Sequence, residues 1–180
     1  MRDALIVSTA RTPLTKSYRG TFNNTTAPTM AGWAIEEAVK RSGVDPEKVD
    51  DVIMGAALQQ GTQHCNVARN AALVAGLPVT VSGMTLDRQC SSGMMAIATA
   101  AKQIISDGMD VAVGGGLDSI SLVQTEKMNL DRWVDKKLIA KHKHIYMPML
   151  KTAEVVANRY NISRESQDEY SLQSQLRTAK

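Results

Sequence analysis

Apolar positions in this chain fall into two patterns that take turns along its first two thirds. Ala4–Ala10, Asp50–Leu58, Val81–Leu86 and Val111–Gly116 are short apolar runs bounded by turn residues, which predicts buried strands. Between them lie stripes spaced three and four apart. Pro28 opens one, Ala31, Ile35, Ala38 and Val39 carry it, and Gly43 closes it. Asn66 stands where it can cap a second helix, which runs to Ala75 and is closed by Gly76 and Pro78. Ala68, Ala71, Ala72 and Ala75 give that helix a small face for close approach. A third, Ser91–Ala101, is small or apolar throughout with no charged side chain, so it reads as a helix buried on every side. Strand and helix in alternation predict an α/β fold, a mostly parallel sheet with right-handed crossovers and helices on both faces.

The remaining stretches differ. Leu14–Pro28, rich in Thr, Asn and Gly, reads as a long loop, and loops of that length are usually functional. Lys127–Lys143 holds six Lys or Arg against two Asp, with Trp133 among them. A solvated charged loop and a basic lid that attracts an anion both fit that pattern. Lys151–Tyr160 reads as a helix with Thr152 near its cap, and Ser163 starts another that runs to Lys180.

Aromatics are only 4% of the chain against 43% hydrophobic residues, so Ala, Val, Ile, Leu and Met fill the core. A net charge of +3 is too small to argue for nucleic acid. No run approaches the length of a membrane span, and Met1-Arg2-Asp3 does not begin a signal peptide. Two cysteines, Cys65 and Cys90, make neither a disulfide framework nor a CxxC metal site, so the expected compartment is reducing and cytoplasmic.

Cys90 is the candidate catalytic residue. It stands at the turn between the Val81–Leu86 strand and the uncharged helix, where unpaired backbone N–H groups favour an anion. An ordinary buried cysteine is the plain alternative. Its flanks, Gln89-Cys90-Ser91-Ser92-Gly93, resemble the acyl-enzyme signature of the thiolases. Ala4–Arg11 with Thr12-Pro13 resembles that family's opening strand and turn. Val67–Leu73 resembles its small-residue helix, Val111–Gly116 its glycine-ended strand, and Thr152-Ala153-Glu154 through Tyr170 its loop domain.

The resemblance implies a thiolase of the acetyl-CoA acetyltransferase type, of which this is somewhat less than half a usual subunit. It implies an N-terminal α/β domain over 1–117, lacking its last strand, and the truncated start of a lid domain over 118–180. Two such α/β halves stack in the family with helices between them, which would cover the uncharged helix. Cys90 would attack an acyl-CoA thioester and carry the acyl group, with CoA a substrate or product and no cofactor. Arg132 and Lys136 would meet CoA phosphates, and Met149 would line the acyl pocket. The Val81–Leu86 edge would pair two subunits into a dimer or a dimer of dimers.

The family also uses a base in Gly-His-Pro, a second cysteine in Cys-x-Gly and an oxyanion-hole Asn, and none of these motifs occurs in the 180 residues. His64, His142 and His144 lie outside any such context, so a C-terminal thiolase half is the expected partner. Two positions depart from the pattern: Asp87 stands where the family usually has Asn, and Pro148-Met149-Leu150 where many members read His-Met-Gly. A ketosynthase-like condensing enzyme shares the cysteine-at-a-helix-start layout, though the Arg69-Asn70-Ala71 helix fits thiolase better. A non-catalytic CoA-binding or assembly module is the remaining alternative.

Overall fold

A computed structural model describes residues 2–180. It separates into two compact units, one ending at Asn129 and one formed by Leu130–Lys180. Residues 118–129, beyond the boundary expected after 117, pack with the first unit: Asp118 accepts a hydrogen bond from Gln63 at 3.0 Å, and Val123 is buried.

Three parallel strands make the sheet of the first unit: β1 (Asp51–Gly55), β2 (Ser82–Leu86) and β3 (Ala112–Gly116), in the order β2-β1-β3. The central strand β1 is buried at every residue, as its continuous apolar run predicts. Asp50 ties its entry to both neighbours. The Asp50 carbonyl accepts from Ser82 N at 3.2 Å, and its carboxylate accepts from Asp110 N and Val111 N at 2.8 and 3.1 Å.

Helix α1 (Ala27–Ser42) has Pro28 in its first turn and ends at Gly43 with φ 68°, a left-handed conformation that glycine adopts without strain. Helix α2 (Val67–Val74) is capped by Asn66, whose side chain accepts from Arg69 N at 3.4 Å. Ile35 and Val39 of α1, Ala68, Ala71 and Ala72 of α2, and Val52 and Met54 of β1 form one continuous core. Helix α3 (Ser92–Lys102) packs with Ile53, Met84 and Leu86 through Ala96 and Ala100, and continues into a π-helical turn, Gln103–Asp107. Burying side chains of the Val and Ile class contributes about 1.5–3 kcal/mol each, so β1 anchors both clusters.

Two expectations fail here. Ala4–Ala10 is not a strand: it has no ladder partner, and Leu5, Ile6 and Val7 are exposed. Its composition suits a strand, but apolar composition does not by itself make a ladder, and the run pairs with neither open edge of the sheet, β2 or β3. Helix α3 is not covered on every side either. Ser92, Ala96 and Ala100 are buried on the sheet, whereas Met94 and Ile97 are exposed, because only one layer covers it.

After β3 comes a short helix, α4 (Ile120–Val123). The second unit holds α5 (Lys136–Lys141), α6 (Met149–Arg159) and α7 (Arg164–Thr178), none with a buried residue. The basic stretch, expected as loop, therefore contains a helix, started by Asp135 accepting from Leu138 N at 2.7 Å. Helix α6 starts at Met149 behind Pro148, two residues ahead of the Lys151 start expected. Ser163 caps α7, accepting from Ser166 N at 3.2 Å.

Candidate active site

The carboxyl ends of the three strands lie in one row, Gly55 opposite both Leu86 and Gly116. Ligands of open parallel sheets bind beyond this edge, and Cys90 stands there, in the turn from β2 into α3. Its thiol is free and exposed. The turn is tight: Ser91 N and Ser92 N donate to the carbonyls of Arg88 and Gln89 at 3.1 and 3.0 Å, and Gln89 has φ 50°.

Backbone contact fixes where α3 begins. A Cβ added at Gly55 would overlap the backbone of Ser92, and one at Gly116 would lie 2.8 Å from Gly93 Cα. Further along, one at Gly114 would lie 2.8 Å from Ile97 Cα. Only glycines let the helix settle this close to the strands.

Around the same edge the loops are tied together by a buried polar group. Gln63, 1% exposed, donates to the Leu58 carbonyl at 2.8 Å and to Asp118, and accepts from Ser119 N. The long loop is docked there too: Tyr18 N donates to Ser121 Oγ at 2.9 Å, and the Tyr18 hydroxyl to the Gln124 carbonyl at 2.8 Å. Gln63 escaped sequence reading because nothing in a glutamine followed by a histidine announces burial.

Cys65 is exposed too, and His64 Nδ1 lies 2.6 Å from its Sγ. The adjacent His-Cys pair was visible in the chain. What brings the two groups together is the left-handed backbone of Cys65 and Asn66, φ 52° and 59°. His64 thus has a thiol neighbour, which the reading as a plain loop histidine omitted.

The other candidates belong to the second unit. Arg132 (φ 52°) is exposed and lies 3.8 Å from Asp131. Lys136 is the first residue of α5, also exposed. Met149, 79% exposed, lines an open groove of about 320 Å³ with Thr152, Val156 and Ile162. Among the described residues no three His, Cys, Asp or Glu gather closely enough to hold a metal ion, and no helix is long and apolar enough to cross a membrane.

Residues 4–180 match the family described as thiolase, N-terminal domain. The chain belongs to the thiolase family. It is 38% identical over its whole length to a 3-ketoacyl-CoA thiolase of Bacillus subtilis (strain 168), of which it covers 46%. It is 37% identical over 97% of its length to an acetyl-CoA acetyltransferase of Cupriavidus necator, of which it covers 47%. Among solved structures, the acetyl-CoA acetyltransferase of Bacillus anthracis superposes with a TM-score of 0.78 at 38% identity, over 96% of this chain and 45% of that one. The chain thus spans just under half the length of these relatives.

Proposed function

We propose that this chain supplies the nucleophile of a thiolase-type acyltransferase. The observation that carries the reading is a free, exposed Cys90 thiol at the start of α3, on the strand-end edge of a thiolase-family fold. In the proposed reaction Cys90 Sγ attacks the carbonyl carbon of an acyl-CoA thioester. The new C–S bond forms on Cys90, the bond to CoA breaks, and CoA leaves as the thiol. A second acyl-CoA, deprotonated at Cα, then attacks the acyl-cysteine and releases Cys90. Run backwards, the same steps cleave a 3-ketoacyl-CoA. CoA is substrate and product, and no resident cofactor enters.

The base that handles these protons is proposed to come from a C-terminal thiolase half carrying Gly-His-Pro and Cys-x-Gly, because no such motif occurs among these 180 residues. Positioned proton transfer contributes ~10²–10⁴ in rate, so acylation without it is slow. Arg132, Lys136 and Met149 are proposed to meet the CoA phosphates and the acyl chain. Two copies are proposed to pair through the Val81–Leu86 edge, a reading supported by β2 lying at an edge of the sheet. Two free thiols suit a reducing, cytoplasmic setting.

Incubation with acetyl-CoA followed by peptide mapping tests the reading. The expected result is acetylation of Cys90 that Cys90→Ser abolishes, with acetoacetyl-CoA thiolysis appearing only when the C-terminal half is added. Acetyl groups on Cys65 alone, or none on either cysteine, would overturn it.

A further inference from the structure

Side chains flanking Cys90 are spent on the turn itself. Asp87 Oδ1 accepts from Gln89 N at 2.6 Å, and Asp87 Oδ2 lies 3.4 Å from Gln89 Nε2. Ser92, 3% exposed, accepts from Arg88 N at 2.8 Å, donates its hydroxyl proton to the Gln89 carbonyl at 2.6 Å, and lies 3.4 Å from Asp87 Oδ1. Ser91 closes the outside, donating to the Arg88 carbonyl at 2.9 Å. Carboxylate and hydroxyl thus hold Arg88 and Gln89 from both ends of the turn, across the left-handed Gln89, while the Cys90 thiol stays free.

We infer that Asp87 and Ser92 are positioning residues for Cys90, clasping the turn so that the thiol is presented at the first N–H groups of α3. The inference rests on the nucleophilic role proposed above. Neither residue touches substrate in this role. Each acts by restricting the backbone of Arg88 and of Gln89, the latter held in the left-handed region that a residue with a side chain rarely adopts. Ser92 has a second burden, because Arg88 N would be left without an acceptor if its hydroxyl were removed.

The carboxylate can be separated from its charge. Asp87→Asn keeps the Oδ1 acceptor and removes the charge, whereas Asp87→Ala removes both; Ser92→Ala breaks the clasp from the other end. The measurement is the iodoacetamide rate at Cys90 in the 180-residue chain, by peptide mapping, with Cys65 of the same molecule as internal control. Asp87→Asn is expected to label Cys90 at the parent rate or faster. Asp87→Ala and Ser92→Ala are expected to slow it by about two- to fivefold, the equivalent of losing a helix-terminus interaction, with Cys65 unchanged. Equal rates in Asp87→Ala and Asp87→Asn, a parent rate in Ser92→Ala, or a parallel fall at Cys65 would overturn the positioning role and leave the nucleophile standing. A parent Cys90 no faster than free glutathione would instead remove the nucleophile on which the inference rests.

Discussion

Cys65 and Cys90 occupy matching places. Both thiols are exposed, both lie two residues ahead of a helix, and both sit on or beside a left-handed residue. Even their helices are alike in being built from small side chains. They differ in what surrounds them. Cys65 has an imidazole 2.6 Å away, whereas Cys90 has a clasped turn and a helix start resting on glycine backbone. Exposure and helix position are shared by the two thiols, whereas the place in the short turn from β2 directly into α3 belongs to Cys90. A neighbouring base helps a thiol lose its proton; a fixed turn helps it meet the same atom of a bound substrate each time. His64 lies within hydrogen-bond reach of the Cys65 thiol, and the clasped turn fixes the place of Cys90.

The largest effect should come from removing the support under Cys90. Gly55→Ala places a methyl group into the Ser92 backbone, where nothing flexible can move aside. It is expected to cost at least about 1–3 kcal/mol, as overpacking does, seen as a lower urea midpoint. Gly76→Ala makes the contrast: φ is 77° there, but the added Cβ meets nothing within 4 Å, so only the left-handed strain of roughly 1–2 kcal/mol applies. A Gly55→Ala midpoint equal to the parent's would mean that α3 does not rest on β1 as described.

His64→Ala attacks the other side of the comparison. Iodoacetamide labelling of Cys65 should slow by about tenfold, less than a fully positioned base contributes, with Cys90 unchanged. Should Cys65 keep its rate, the imidazole contact has no chemical consequence and the two thiols differ only in their turns.

A smaller effect tests the second unit against the first. If Arg132 and Lys136 meet CoA phosphates, affinity for CoA should fall with rising salt, and Arg132→Ala with Lys136→Ala should weaken both affinity and salt dependence. Full retention of affinity, measured by calorimetry, would mark the stretch as a solvated surface.

The smallest effects are those of pH. Hydrogen bonding and charge from Arg164 hold Asp168 below the usual carboxylate range, and hydrogen bonds from its own backbone N–H and from Ser163 do the same for Glu165. In the first unit, hydrogen bonding and charge from Arg2 lower Asp110. A carboxyl depressed in the fold contributes its stabilisation above its unfolded pKa and loses it as pH falls through the lower folded value. Far-UV circular dichroism of the chain should therefore hold through neutrality and decline only at acid pH. All three groups are exposed, so added salt should blunt the change. Loss of helicity beginning above the ordinary carboxylate range would implicate other groups.

How much of this could be read from the chain depended on whether the physics was local. Strand β1, helix α2 with its Asn66 cap and helix α1 between Pro28 and Gly43 were all readable, because periodicity and capping are written in neighbouring residues. The turn at Cys90 was readable for the same reason. Ala4–Ala10 was not, since apolar composition says nothing about which edge is available for pairing. Nor was the exposed side of α3: its uncharged residues report what the helix can bury against, not what is present to bury it. Helix α5 was hidden by its charge, the only sign being Asp135 ahead of Lys136. The Asp87 and Ser92 clasp was half visible, as a carboxylate in an unusual position, and its second half required seeing the Ser92 hydroxyl turned inward.

The glycines under α3 also decide how motion reaches the thiol. A helix that rests on a sheet through long side chains can roll as those side chains change rotamer, and such give absorbs small displacements. Between α3 and the strands at Gly55, Gly114 and Gly116 there is backbone on backbone, with no compressible layer. The helix axis is therefore geared to the twist of β1 and β3. Ile53 packs the same helix through Ala96 and Ala100, so shortening it, as in Ile53→Val, is expected to lower stability, whereas a change of strand twist at the glycines is expected to carry α3 and Cys90 with it.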